Sequence, residues 1–250
     1  MSLSLTFSTM NKDEQKKEIE QYLADTIMER PYGFTVGETH YCLYPVTLGK
    51  MYVLQRHIEN LAINPKGLQT DLSLEALRLA KEKREECLYI IYFHTCRTKE
   101  EVFDTTRLLN TVDVFNVEMS DEDIAALMII VLSSDRTEMF IRHLGIDREQ
   151  ADMKKVMDVK NKTDKNNFTF GGVSIYGSFI HPLIELGMSW DEILWERSYT
   201  NLRLLLADKV NSIYVTDEER KKINISRDRH RVDGDDREAL MRAIKSQSWD

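Results

Sequence analysis

The residues best suited to chemistry in this chain are its six histidines, three cysteines and several carboxylate runs. His40, His57, His94, His143, His181 and His230 stand singly, without an H-E-x-x-H motif or a pair at helical spacing, whereas a metal needs three or four convergent ligands. His94-Thr-Cys96 comes nearest, and at the end of an apolar run it reads as core packing. Cys42, Cys87 and Cys96 match neither a zinc ribbon nor a C-x-x-C redox site; three thiols cannot all pair within one chain, which points to a reducing compartment. Gly171-Gly-Val-Ser174 followed by Tyr176-Gly-Ser178 superficially resembles a phosphate cradle, but it lacks G-x-x-x-x-G-K-[ST], and no strand pattern precedes it. No G-x-S-x-G elbow gives Ser174 or Ser178 a triad. No catalytic, cofactor-binding or metal-binding residue is therefore assigned. An enzymatic reading would have to gather His181, Asp191 and Glu196, which no motif does.

The remaining acidic groups read as structure. Asp121, Glu122 and Asp123 lie at a helix start, where free amides and the dipole favour negative charge, and Asp191 and Glu192 are similar. Asp208 follows an apolar Leu-Leu-Leu-Ala run and is expected to pair with Arg203 or Lys209. Aromatic residues concentrate between Tyr176 and Tyr214. Most belong in a core, yet aromatic rings beside arginines are what protein-binding hot spots are made of. Trp190, Trp195, Arg197, Tyr199 and Arg203 are the candidate partner contacts on that ground.

Periodicity places these residues on a mainly α fold, with a small β-hairpin near the N-terminus and a C-terminal helical module. Residues 11–29 show apolar spacings of three and four and stop at Pro31 and Gly33. Residues 34–44 are β-branched and aromatic around Gly37-Glu38, the pattern of a hairpin that must pack on helices or be completed by a partner. Thr47 introduces a helix from Leu48 to Ile63. Ser73 is expected to cap a single helix reaching Thr95, polar in its first half and buried at its far end. Thr98 with Glu101, and Ser189 with Glu192, have capping-box spacing. Ser120 opens a helix ending near Ser133, and Arg136–Leu144 either continues it or forms another. Asp147 is expected to cap a helix to Val159, and Trp190–Tyr214 is expected to form one long helix.

These elements suggest an N-terminal domain over 1–159, a polar linker or loop at 160–167, a helical module over 168–223, and a charged tail over 224–250 carrying a short amphipathic helix. With 42% hydrophobic residues and only 10 glycines and 4 prolines among 250, the chain has enough apolar material for a core. Its formal net charge of -8 gives no reason for general attraction to nucleic acid. The opening segment lacks the basic and apolar regions of a secretory signal, and the longest apolar run, Ile124–Leu132, is too short to span a membrane.

Two stretches carry a resemblance. YCLYPVTLGKMYVLQRHIENL, Tyr41–Leu61, leads a short extended segment into a helix, and YGSFIHPLIELGMSWDEILWERSYTNLRLLLADKVNSIYVTDEE, Tyr176–Glu219, contains the capping box GMSWDEIL before a helix ending LLLAD. Together they resemble phage tail assembly chaperones and related small helical proteins of tail gene modules, including those of phages of gut bacteria. The resemblance implies a non-enzymatic protein of the infected host's cytoplasm, without a cofactor. It would bind structural subunits such as tail tube or tape-measure proteins before or during assembly. Some such families make a longer form by ribosomal frameshifting, and the 160–167 segment would suit that layout. The alternative within the same setting is a virion component, a connector or internal protein.

Overall fold

The computed structural model describes residues 12–163, 173–209 and 215–223. The proposed tail at 224–250 lies outside the described residues, as do 164–167 of the expected linker; Lys160 to Thr163 are the end of a helix. The chain divides into two compact units. Among described residues, one holds 12–147 and 173–209 and the other 148–163 and 215–223. Helices dominate the first unit, and its one sheet among the described residues is a two-stranded antiparallel hairpin.

Helix α1, Lys12–Ile27, ends where Glu29 takes a left-handed backbone conformation (φ 52°) and its amide returns to the Thr26 carbonyl. Strands β1, Tyr32–Val36, and β2, Thr39–Leu43, pair from Tyr32 opposite Leu43 to Val36 opposite Thr39. Gly37 opens the two-residue turn with φ +58°, a conformation that glycine adopts without steric cost and that twisted hairpins need at this position. A hairpin alone is marginal. This one lays Phe34 and Tyr41 against Phe115, with the Tyr41 and Phe115 centroids 4.9 Å apart edge to face.

Phe115 belongs to α7, Thr105–Glu118, one of the helices around the main core. Helix α2, Leu48–Leu61, packs on α5, Arg84–Thr95; short α3, Pro65–Thr70, leads into α4, Leu72–Glu82, which lies along α8, Asp121–Leu132. Residues 87–95 of α5 are buried nearly all round, so this is the central helix. The expected single helix over 73–95 is instead two. Asp71 rather than Ser73 caps α4, its Oδ1 accepting from the Ser73 and Leu74 amides, and Lys83 leaves helical geometry. Beyond the break the Arg84 guanidinium donates to Asn116 Oδ1, the Met119 carbonyl and Asp121, fixing the start of α5 to the end of α7 and the start of α8. Both expected capping boxes at 98–101 and 189–192 form; the first opens the short α6, Lys99–Phe103.

Residues 137–143 form a separate helix, α9, after α8 ends at Leu132. Helix α10, Ile146–Thr163, begins before Asp147, which therefore lies in its first turn rather than capping it. A π-helical turn, Tyr176–Ile180, runs into α11, His181–Glu185, which stops at Gly187 with φ +90°. The expected long helix from Trp190 to Tyr214 is also broken. A π-helical turn spans Glu192–Glu196, Arg197 and Ser198 are extended, and α12 covers Tyr199–Ala207 with the Ser198 hydroxyl accepting from the Asn201 amide. Leu48, Ile180, Leu183, Ile193 and Leu202 close a second, smaller core. In the other unit, α13, Asp217–Ile223, starts at Thr216, whose amide and hydroxyl donate to Glu219.

Candidate functional site

The break before α12 is imposed by tertiary hydrogen bonds. Tyr199 N donates to the Val46 carbonyl at 2.8 Å, and Thr47 and Ser198 form an isolated antiparallel bridge, so residues 46–47 and 198–199 pair like strands. Ser198 N also donates to Glu29 Oε1 at 2.8 Å, and Asn201 Nδ2 donates to the same oxygen at 3.1 Å. The left-handed Glu29 thus ties the end of α1 to this junction. One turn later Gly49 lies under the Glu192–Glu196 turn: a β-carbon there would stand 2.7 Å from Trp195 Cζ3 and 2.8 Å from the Leu194 carbonyl oxygen. Only glycine allows that approach.

These contacts wall a cleft of ≈ 920 Å³. Its lining includes four cations, Lys50, Arg97, Lys99 and Arg197, and four carboxylates, Glu29, Glu100, Asp191 and Glu196. Apolar surface comes from Met28, Pro31, Tyr44, Pro45 and Trp195. Arg97, Lys99 and Arg197 are exposed. Lys50 is the exception, with 2% of its surface accessible. Among the described residues its ammonium has no hydrogen bond or ion pair; Nζ sits 5.9 Å from the centroid of the Tyr44 ring. Burial pulls the Lys50 pKa down to about 8, against the opposing influence of Cys96 and Glu101. Glu101 is itself engaged: burial would raise its pKa, but the Arg107 ion pair and the amides of Arg97 and Thr98 hold it below the usual carboxylate range.

Behind residues 44–46 lies a smaller cavity of ≈ 330 Å³, lined in part by His94, Tyr44 and Pro45. Tyr44 N donates to the His94 carbonyl at 2.8 Å, and His94 Nδ1 lies 3.3 Å from the Tyr44 carbonyl, so the ring donates from Nδ1. Burial, together with the charge of Lys50, lowers its pKa to about 4, and His94 is neutral at pH 7. Cys96 Sγ contacts the Tyr92 carbonyl, and burial raises its pKa.

Compared with protein families, curated proteins and solved structures, the chain has no match in any of the three. The site must therefore be read from its own geometry.

The five candidate partner contacts occupy three settings. Trp195 and Arg197 line the cleft, with Trp195 edge to face against Phe103 and Lys99 Nζ 5.9 Å from its ring centroid. Trp190 is 46% exposed and stacks on Tyr176, 63% exposed, at 6.1 Å and 16°. Tyr199 stacks on Phe179 in the second core, while Arg203 pairs with Asp135 and Glu138. The expected pairing of Asp208 does not occur: Arg203 takes those two partners, Lys209 reaches Glu185, and Asp208 is exposed. His181 pairs with Glu185 and is absent from the cleft that Asp191 and Glu196 line, so the three residues of the enzymatic reading do not converge. No group of three metal-ligating side chains converges among the described residues, and none of the helices they form is long and apolar enough to cross a membrane.

Lys50 was not singled out by motif, whereas His94 and Cys96, read as core packing, are both buried. A signal for Lys50 was present: Lys50, Leu54, His57 and Leu61 recur at helical spacing, and three of the four are buried. A lysine on that stripe marks either a buried charge or a cleft. The burial of His94 follows from the all-round packing of α5, as the apolar run before it implied.

Proposed function

We propose that this chain is a non-enzymatic interaction protein acting as a phage tail assembly chaperone, one that holds an apolar segment of a structural tail subunit before polymerisation. The observation that carries the reading is the exposed aromatic pair Tyr176 and Trp190, stacked on each other in solvent beside a stretch that also exposes Ile184 and Leu186. Stacking orders the two rings in advance, so a partner that covers them loses less entropy on binding. Exposed aromatic surface of this kind is the usual centre of a protein–protein hot spot.

The class of partner comes from the likeness of residues 41–61 and 176–219 to tail assembly chaperones. Those two stretches pack together through the Val46–Tyr199 hydrogen bond and the Gly49–Trp195 contact. Packing of residues 46–49 against 195–199 is what a shared partner-binding role of the two stretches would require.

Co-expression with the tail tube and tape-measure genes of the same genome, followed by affinity capture, tests the reading. Capture is expected, and a Tyr176→Ser, Trp190→Ser double variant should lose it while unfolding at an unchanged denaturant midpoint. Failure to capture either subunit overturns the chaperone role. Stoichiometric presence of the chain in purified particles would favour the virion-component alternative.

A further inference from the structure

We propose that the cleft at Lys50 binds a carboxylate carried on a flat apolar body, with the acid paired to the Lys50 ammonium and the body lying against Trp195 and Tyr44. The proposal goes beyond partner binding at Tyr176 and Trp190 and uses neither residue. Lys50 as a residue has 2% of its surface accessible, and its ammonium, with no partner among the described residues, is a charge lacking its complement. Buried charges in folded proteins are paired, because the solvation lost on burial is otherwise unreplaced. Among the described residues, Glu101 is committed to Arg107 and to two backbone amides, and Glu100, Asp191 and Glu196 on the lining form no ion pair with Lys50. Glu29 is likewise committed to Ser198 and Asn201. Lys50 nevertheless lines a cleft with room for a ligand.

The setting selects the kind of anion. Helix α2 begins at Leu48, so Lys50 lies in the first turn of a 14-residue helix whose positive dipole end adds to its charge. Exposed Arg97 and Arg197 stand on the same lining. Four carboxylates share that lining and balance the four cations, which opposes a phosphate dianion more strongly than a single carboxylate. Trp195, Tyr44, Pro31, Pro45 and Met28 supply an apolar wall for the rest of the molecule. Two sources share this chemistry, the C-terminal end of a peptide with an aromatic last residue and a free aromatic acid.

Calorimetric titration of the full chain separates the outcomes. The probes are N-acetylphenylalanine for a peptide end, benzoate for a free acid, N-acetylphenylalanine amide as the uncharged control, and inorganic phosphate. At least one acid should saturate, with the amide at least tenfold weaker. Saturation by N-acetylphenylalanine alone assigns a peptide end, and saturation by benzoate assigns a small acid. Lys50→Met should weaken the acid at least tenfold, and Arg197→Gln, at an exposed position that leaves the core intact, should weaken it severalfold. Wild-type affinity should fall roughly tenfold between pH 7 and pH 9 as Lys50 loses its proton, a dependence absent from Lys50→Met. The titratable groups that face that ammonium are Cys96 at the end of α5, Glu101 in α6, Tyr44, whose ring centroid lies 5.9 Å away, and His94, which is already neutral across this range. No saturation by either acid, equal binding of the amide, tighter binding of phosphate, or undiminished binding by Lys50→Met would each overturn the proposal.

Discussion

Replacing Lys50 by methionine should make the chain more stable at pH 7, although it removes a charged side chain from a helix start. The ammonium has an ordinary pKa of 10.5 and is held at about 8 in the fold, chiefly by burial. Below pH 8 it is charged in both the folded and unfolded chains, and the full burial penalty is present. Between pH 8 and 10.5 the unfolded chain binds a proton that the folded chain lacks, so wild-type stability rises with pH. The gap corresponds to about 3 kcal/mol. Methionine has similar length and fills irregular space without a charge. Losing the contact with Tyr44 returns about 1 kcal/mol, which leaves a net gain of about 2 kcal/mol. Urea unfolding followed by tryptophan fluorescence is a suitable assay, since Trp190 and Trp195 both belong to the unit that holds Lys50. The midpoint should move up by roughly 1 M at pH 7, and the advantage should vanish as the pH is raised toward 10.5. A variant less stable than wild type at pH 7 by more than about 1 kcal/mol, with an unchanged slope, would refute the reasoning, because the ammonium would then be a net stabiliser.

Other positions give independent checks. Gly49→Ala should destabilise the chain by about 2 kcal/mol in the same assay, because the new methyl meets Trp195 and a backbone carbonyl; helix propensity alone predicts a gain of about 1 kcal/mol, so the sign decides. The His94 ring should stay neutral down to about pH 5 by NMR titration. Its lowered pKa also means that the chain loses up to about 3 kcal/mol as pH falls from 6.5 through 4, where the unfolded state takes up a proton first. Of the three free thiols, Cys42 should react rapidly with a disulfide reagent, while buried Cys87, whose pKa burial raises to about 12, and Cys96 should react only on unfolding.

The hairpin, three capped helix starts and the central helix were legible because each has a local cause. Gly37 supplies the turn, capping boxes at Thr98, Ser120 and Ser189 mark helix starts, and the unbroken apolar run before Thr95 requires burial all round. The two misplaced helices failed for one shared reason. Lys83 stands in a run of good helix formers, and Arg197 follows one, so neither break has a local signature. Lys83 gives way where Arg84 is pulled toward Asn116 and Asp121, and Arg197 where Ser198 and Tyr199 pair with Thr47 and Val46. Those partners lie 32 or more residues away and enter no periodicity count. Two of the five candidate contacts, Trp195 and Arg197, reached the cleft because composition can find an aromatic and arginine cluster. Tyr199 and Arg203 are occupied by Phe179, Asp135 and Glu138, contacts that depend on how α12 packs.

Stability and binding should pull in opposite directions at Lys50, and that opposition distinguishes a site from a structural ion. A lysine held in place by structure lowers stability when replaced and leaves ligand affinity alone, since its charge is already matched inside the fold. A lysine whose complement arrives with a ligand raises stability when replaced and abolishes binding. The geometry here belongs to the second kind: a lysine 2% accessible in the first turn of α2, a cleft on its open side, and Glu29 and Glu101 already bonded elsewhere. The Gly49–Trp195 approach connects the two halves of this arrangement. It brings the Glu192–Glu196 turn close enough for Trp195 to wall the cleft that Lys50 lines. Gly49→Ala should therefore lower both stability and acid affinity, whereas Lys50→Met should raise one and lower the other. The same two substitutions measured in both assays separate loss of the cleft's shape from loss of its charge.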